Sequence, residues 1–278
     1  MIFFSDMDGT FLTSTKQVSD MGWRALDALA AAGIEFVPCT GRALSGVPAE
    51  ILSHPCVHYV VSANGASIAQ LDTADPQDTD KARIIHRVPI TREKAHAIWR
   101  IARDYDVTFD IFADGQCLLR RDLHERLAEF MADPHILRTM IASRTPVDEE
   151  PEQTIDRVAN LERVAMYWKN PADREAILAR LAQVDAIEVT RSYPENIEVM
   201  EEGASKGSAM AWLCDYLGTD ASKAICFGDN CNDISMLELA GCGAAVCNAE
   251  REVRDAADVI LASNDEDGVP AYILSCVG

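Results

Sequence analysis

The amino-acid sequence predicts an α/β protein: a Rossmann-like, doubly wound parallel sheet with an α+β unit inserted into it. Three observations carry that reading. Short apolar runs bounded by polar turns alternate with amphipathic helical stretches near both ends of the chain. Between them the rhythm changes to hairpins and short helices. The apolar runs of the outer sections end in clusters of carboxylate, hydroxyl and glycine groups, and in open α/β sheets ligands bind outside the carboxyl ends of the strands.

The first strand is Ile2–Ser5, whose large apolar residues suit a central strand covered on both faces. Ser19 caps a helix running to Ala32, with Trp23, Leu26, Leu29 and Ala30 along its apolar face and Gly33 to end it. A second buried strand spans 34–39 and gives way at Thr40-Gly41-Arg42, after which a short helix is expected. A third strand, Tyr59–Ser62, ends at Asn64-Gly65, and the alternation places all three in right-handed βαβ units of one parallel sheet. Residues 67–69 and 84–88 can pair as a hairpin across a polar loop.

In the middle section Thr91 opens a helix over 91–104, and strands at 107–112 and 117–120 flank Asp114-Gly115, a hairpin signal. A helix at 124–132, a loose acidic stretch at 146–151, a strand at 163–168, a helix at 172–181 and the strand Ile187–Thr190 follow. The last section returns to the earlier rhythm: a helix at 206–217 stopped by Gly218, a strand at 224–227, a helix at 232–240, and strands at 244–246 and Val259–Leu261. The domain reading is a discontinuous core, 1–88 and 196–278, with an inserted unit at 89–195.

The composition fits about two ordinary globular domains: 278 residues, 48% hydrophobic and 25% charged. A formal net charge of −20 argues against non-specific binding to nucleic acid or anionic membrane. A small anionic substrate would then need local positive charge from a metal, a helix N-terminus or a few Lys and Arg. Nine scattered cysteines without CxxC or zinc spacing point to reduced thiols in a cytoplasm. No basic region followed by an apolar stretch marks a signal peptide, and no apolar run is long enough for a membrane span. Monomer and homodimer both remain open.

Two carboxylates, Asp6 and Asp8, stand where the first strand ends. Asp-Gly is also a common turn dipeptide, so an ordinary turn explains Asp8-Gly9 equally well. Thr40-Gly41-Arg42 reads as a compact anion cradle or as a Thr cap with a turn glycine. Lys206 opens a helix, where a cation opposes the macrodipole; it is either a surface lysine or faces a shared anion. Gly228-Asp229-Asn230-Cys231-Asn232-Asp233 is the most specific stretch. Asn232 can cap a helix and Asp233 can complement its dipole. Yet Asp6, Asp8 and Asp229 at strand ends of one sheet would repel one another, and a hard divalent cation resolves that conflict. Oxygen-only ligands favour Mg²⁺ over Zn²⁺.

In order, Asp6-x-Asp8-Gly-Thr10, Thr40-Gly-Arg42, Lys206 and Gly228-Asp229-x-x-Asn232-Asp233 resemble the haloacid dehalogenase superfamily. The long insert between the second and third motifs resembles its Cof-type phosphatases, which carry an α/β cap of class IIB. Asn64-Gly65-Ala66 and the tail Asn264-x-Glu266-Asp267-Gly268-Val269 are also similar to that subfamily. Met7 departs from the frequent Leu, a volume-conserving swap.

The resemblance implies phosphoryl transfer through an aspartyl-phosphate. Asp6 is the candidate nucleophile and Asp8 the candidate general acid and base, in an environment that lets it hold a proton. Asp6, Asp229 and the Asp8 backbone carbonyl would bind Mg²⁺, with Asp233 in support. Thr40, the Gly41 amide, Lys206 and Asn232 would hold the phosphoryl oxygens, and Arg42 would contact substrate or cap, or form a structural ion pair. The insert would close as a lid; Asp110, Asp114, Arg120, His124 and Tyr193 are polar groups there that could face substrate. The expected substrate is a small phosphorylated metabolite such as a sugar phosphate, handled by a hydrolase. A phosphomutase on the same scaffold and a non-catalytic, receiver-like phosphate-binding module are the alternatives.

Overall fold

A computed structural model describes all 278 residues, which divide into two compact units: 1–87 with 205–278, and 88–204. No helix is long and apolar enough to cross a membrane.

The discontinuous unit begins with β1 (Ile2–Ser5), α1 (Asp20–Ala32), β2 (Glu35–Pro38), α2 (Ala49–Leu52), β3 (Tyr59–Ser62), β4 (Ser67–Gln70) and β5 (Arg83–Arg87). The middle unit contains α3 (Arg92–Ala102), β6 (Asp110–Ala113), β7 (Gln116–Arg120), α4 (Arg121–Glu125), α5 (Pro134–Ser143), β8 (Arg144–Val147), α6 (Pro151–Arg157), β9 (Leu161–Tyr167), α7 (Pro171–Leu181), β10 (Ile187–Thr190) and β11 (Asn196–Glu201). The chain then returns to the first unit with α8 (Lys206–Tyr216), β12 (Ala224–Gly228), α9 (Ile234–Leu239), β13 (Cys242–Val246), α10 (Arg251–Ala256), β14 (Val259–Leu261) and α11 (Gly268–Val277).

The sheet of the discontinuous unit has the order β14-β13-β12-β1-β2, parallel throughout. From β1 the chain proceeds to one side and from β12 to the other, so the strand order reverses between these two neighbours. That reversal leaves a crevice at their carboxyl ends. Phe3, Phe4, Phe36 and Phe227 are buried in the core, as a strand covered on both faces requires. Helix α1 packs against α11, and α8 against α9. Ser19 caps α1 by accepting from the Gly22 amide, and Gly33 ends it in the left-handed region.

The third strand differs from expectation. β3 pairs antiparallel with β4, and β4 with β5, making a three-stranded sheet in which the 67–70 and 83–87 segments form the expected hairpin. Its tie to the parallel sheet is a single parallel bridge, Cys39 with Val61, and the Thr40 amide donating to Val61 O at 2.9 Å. After Arg42 come one 3-10 turn, Leu44–Gly46, and then the short helix α2; neither starts directly at Thr40-Gly41.

In the middle unit the sheet order is β10-β11-β9-β6-β7-β8, antiparallel except for β7 with β8. Asp114 and Gly115 both take positive φ, the geometry of the tight turn joining β6 to β7. The second boundary between the units lies at 204/205, against the 195/196 expected, because β11 hydrogen-bonds to β9 and β10. The segment 121–147 is also richer than one helix and a loose stretch: it holds α4, a 3-10 turn, α5 and β8. Leu123, Leu127, Phe130, Met131 and Met140 there form a small core with Leu119 and Tyr167.

Candidate functional site

The crevice between β1 and β12 holds an acidic cluster. Asp6 follows β1 directly, with its amide donating to Phe227 O at 2.9 Å, and Asp229 follows β12. One carboxylate oxygen from each of Asp6, Asp229 and Asp233 can be chosen so that all lie within 4.8 Å of one another. Lys206, the first residue of α8, has no exposed surface; its Nζ donates to Asp6 Oδ1 and to Asp233 Oδ1, both at 2.6 Å. It is therefore no surface lysine. Burial works against its charge, but Asp233 and Asp6 outweigh that and hold the ammonium protonated well above its ordinary value.

The two oxygens of each carboxylate have different surroundings. Asp233 is fully engaged: Oδ1 takes Lys206, and Oδ2 accepts the amides of Asp229 at 2.9 Å and Asn230 at 3.0 Å. It thus fixes the turn that presents Asp229. Asp229 Oδ1 accepts from the Thr10 hydroxyl at 2.8 Å. A Cβ on Gly9 would lie 2.6 Å from Asp229 Oδ2, and Gly9 has φ +99°, so only glycine fits this close approach. Asp6 Oδ2 is buried and has no hydrogen-bond partner in the protein. Burial pushes Asp6 up to about 6, with Asp233 and Asp8 adding to the rise and Lys206 opposing it. Burial also raises Asp229 well above the ordinary carboxylate range, helped by the charges of Asp6 and Asp233. Excess buried negative charge, an orphaned carboxylate oxygen and oxygen-only donors fit a hard divalent cation.

Asp8 lies in different company. Arg42 donates to it twice, Nε to Oδ2 at 2.6 Å and Nη2 to Oδ1 at 2.8 Å, and Lys16 Nζ stands 3.0 Å from Oδ1. Burial alone would raise Asp8, but Arg42 and then Lys16 overcome it and hold the carboxyl well below its usual range. The expectation of an environment that lets Asp8 keep a proton fails in this arrangement: two cations hold it ionised. For Arg42, which sequence left open, the structure has an ion pair with Asp8.

Thr40 is buried at the end of β2; its hydroxyl accepts the Arg42 amide at 3.1 Å, with Gly41 between them. Asn232 is buried in the turn before α9 and donates through Nδ2 to Asn64 Oδ1 at 3.0 Å. All nine residues singled out in the core thus belong to one unit, on loops following β1, β2 and β12 or at the start of α8. Lys16 and Asn64 were given no role by sequence reasoning. Nothing in the sequence ties Lys16 to Asp8; Asn64 carried a signal, an Asn-Gly at a strand end.

The polar residues considered in the middle unit have other partners. Arg144 Nε donates to Asp110 at 3.0 Å, and Asp114 ties its turn to Ala159 and Asn160. Arg120 pairs with Asp122 and Glu150, and half-buried His124 bonds Ile141 O. Tyr193 packs beside Leu119 and Tyr167 in the small core.

Several known proteins share this architecture. Phosphatase YwpJ of Bacillus subtilis (strain 168) is 29% identical over 290 residues, spanning 95% of each chain. The 5-amino-6-(5-phospho-D-ribitylamino)uracil phosphatase YcsE of the same organism is 25% identical, spanning 96% of this chain and 92% of its own. Among solved structures, a B. subtilis haloacid dehalogenase-like hydrolase superimposes with a TM-score of 0.81 at 26% identity, covering 98% of both chains. The HAD subclass IIB sugar phosphatase BT4131 shares the fold with a TM-score of 0.80 at 20% identity, over 99% of this chain and 98% of its own. The sequence profile of haloacid dehalogenase-like hydrolases matches residues 3–273, nearly the whole chain, and with the acidic crevice at the β1/β12 reversal it establishes that this protein belongs to the haloacid dehalogenase-like hydrolase family.

Proposed function

We propose that the protein is a Mg²⁺-dependent phosphatase that removes phosphate from a small phosphomonoester, a sugar phosphate or similar metabolite, through an aspartyl-phosphate on Asp6. The observation that carries this reading is the asymmetry of Asp6: one oxygen is held by Lys206 and the other is buried without a partner beside Asp229. Asp6, Asp229 and the Asp8 carbonyl would hold the cation, which when bound neutralises charge on the carboxylates and the phosphoryl group. Asp233 has both oxygens occupied and supports the site.

In the first step Asp6 attacks phosphorus, the P–O bond to the leaving group breaks, and the alkoxide takes a proton from Asp8. In the second, Asp8 removes a proton from the attacking water, and phosphate leaves Asp6. As an ionised group beside two cations, Asp8 is ready for the second step. For the first it must gain a proton as it loosens from Arg42. Thr40, the Gly41 amide, Lys206 and Asn232 would hold the charge on the phosphoryl oxygens.

Release of inorganic phosphate from a panel of phosphorylated metabolites, with Mg²⁺ and with a chelator, tests the reading. Turnover of at least one phosphomonoester that stops on chelation is the expected result. Full activity after thorough chelation would reject the metal, and an isomerised product without phosphate release would make the protein a mutase.

A further inference from the structure

We propose that Asn64 is a positioning residue for the phosphoryl cradle: it anchors the side-chain amide of Asn232 so that an N–H faces the phosphoryl oxygens. The inference rests on the reading of Asn232 as a phosphoryl contact.

Asn64 occupies a costly turn. Ala63, Asn64 and Gly65 take φ of +50°, +58° and +96° in succession, a left-handed run that favours glycine and asparagine and strains Ala63. The surroundings hold it there. The Ala63 amide donates to Arg42 O at 2.9 Å and the Asn64 amide to Thr40 O at 3.1 Å. A Cβ on Gly65 would lie 2.1 Å from Ser205 O, so the turn is pressed against the backbone just before Lys206. One strained turn therefore touches the Thr40–Arg42 loop and the start of α8, and its side chain reaches the loop after β12.

That side chain bonds the Asn232 amide. Both residues are buried, and Asn64 Oδ1 accepts one of the two hydrogens on Asn232 Nδ2 at 3.0 Å. Asn232 Oδ1 is buried with no partner, so one edge of this amide is satisfied by the protein and the other is not. An amide without the anchor can turn its oxygen towards an anion; the anchored one keeps a hydrogen of Nδ2 for it. Strain concentrated where three loops meet then serves orientation.

Asn64→Gly tolerates the left-handed backbone and removes the side chain that carries the acceptor. With a phosphomonoester that the wild type hydrolyses, this variant should lose about tenfold in kcat/KM, the effect of one buried hydrogen bond, and inorganic phosphate should inhibit it more weakly by a similar factor. In an Asn232→Ala background the same change should have no further effect, because coupled residues are non-additive. Wild-type kinetics in Asn64→Gly, or an equal loss in both backgrounds, overturns the proposal. A wild type that releases no phosphate from any phosphomonoester instead removes the underlying reading, and the inference with it. Should Asn64→Gly unfold, ¹⁵N spectra of the wild type decide: the Asn232 side-chain NH₂ signal, assigned by its loss in Asn232→Ala, should move on adding inorganic phosphate. A signal unmoved at saturation overturns the proposal.

Discussion

Arg42 and Asp8, thirty-four residues apart, form a two-pronged ion pair, with Nε to Oδ2 at 2.6 Å and Nη2 to Oδ1 at 2.8 Å. Charge-assisted pairs of this geometry favour the ionised carboxylate strongly. In Arg42→Gln that support is lost and the Asp8 pKa rises. The acidic limb of kcat, where Asp8 must be ionised to act as base in the second step, should move to higher pH. The stability contributed by the depressed Asp8 pKa is fully present above the ordinary carboxylate range and is lost as pH falls from there through the lower folded value. Arg42→Gln should therefore be less stable than wild type at neutral pH by about 1–3 kcal/mol, with the gap narrowing towards about pH 3. Denaturant titrations and pH–rate profiles check both; an unmoved acidic limb means another group governs it.

Asp6→Asn replaces the proposed nucleophile with a group of nearly the same shape. Phosphate release should fall by about a thousandfold or more while the far-ultraviolet spectrum stays native. In rapid-quench experiments the wild type should accumulate phosphate on protein and the variant should not. A variant that turns over within tenfold of wild type excludes Asp6 as nucleophile.

The strand ends were legible because burial imposes a visible pattern. Ile2-Phe3-Phe4 can only be a covered strand, so Asp6 and Asp8 must sit at its exit, and the same holds for Phe227 and Asp229. The middle unit was less legible. β8 carries a Pro and mixed polarity and offers no clean period, whereas β11 alternates Asn196 and Glu198 with Ile197 and Val199, a strand signal that went unread. Helix α5 did carry a signal, Asp133 as cap with Pro134 after it. What no pattern carries is pairing across the fold: Lys16 with Asp8, Thr10 with Asp229, and Asn64 with Asn232 follow from loops brought together by the sheet.

Lys206 neutralises two buried carboxylates at once, so its loss should be felt in stability as well as rate. Lys206→Met fills a similar volume but leaves Asp6 and Asp233 facing each other without a cation. Breaking a buried pair from one side costs about 3–5 kcal/mol. Urea unfolding should show a loss of that order at neutral pH, and phosphate release should be abolished. A variant as stable as wild type would mean that the carboxylates find another partner on relaxation.

Asp229→Asn separates the demands of function from those of folding. Burial raises the pKa of Asp229 and of Asp6 in the fold, the latter to about 6. A carboxyl whose folded pKa exceeds its unfolded one favours folding while protonated, and that contribution is lost as pH rises from the ordinary carboxylate range through the folded value. In chelator the protein should thus lose thermal stability between about pH 4 and pH 6.5, and Mg²⁺ should restore more of it at pH 7.5 than at pH 5. Asn at 229 removes one of the clashing charges and still accepts from Thr10. In chelator at pH 7.5 its Tm should exceed that of wild type, by about 2–4 °C for each kcal/mol relieved, while activity and the Mg²⁺-dependent rise in Tm disappear. Differential scanning calorimetry with and without Mg²⁺ checks this. If the variant melts below wild type in chelator yet still responds to Mg²⁺, Asp229 is neither a source of the repulsion nor a ligand.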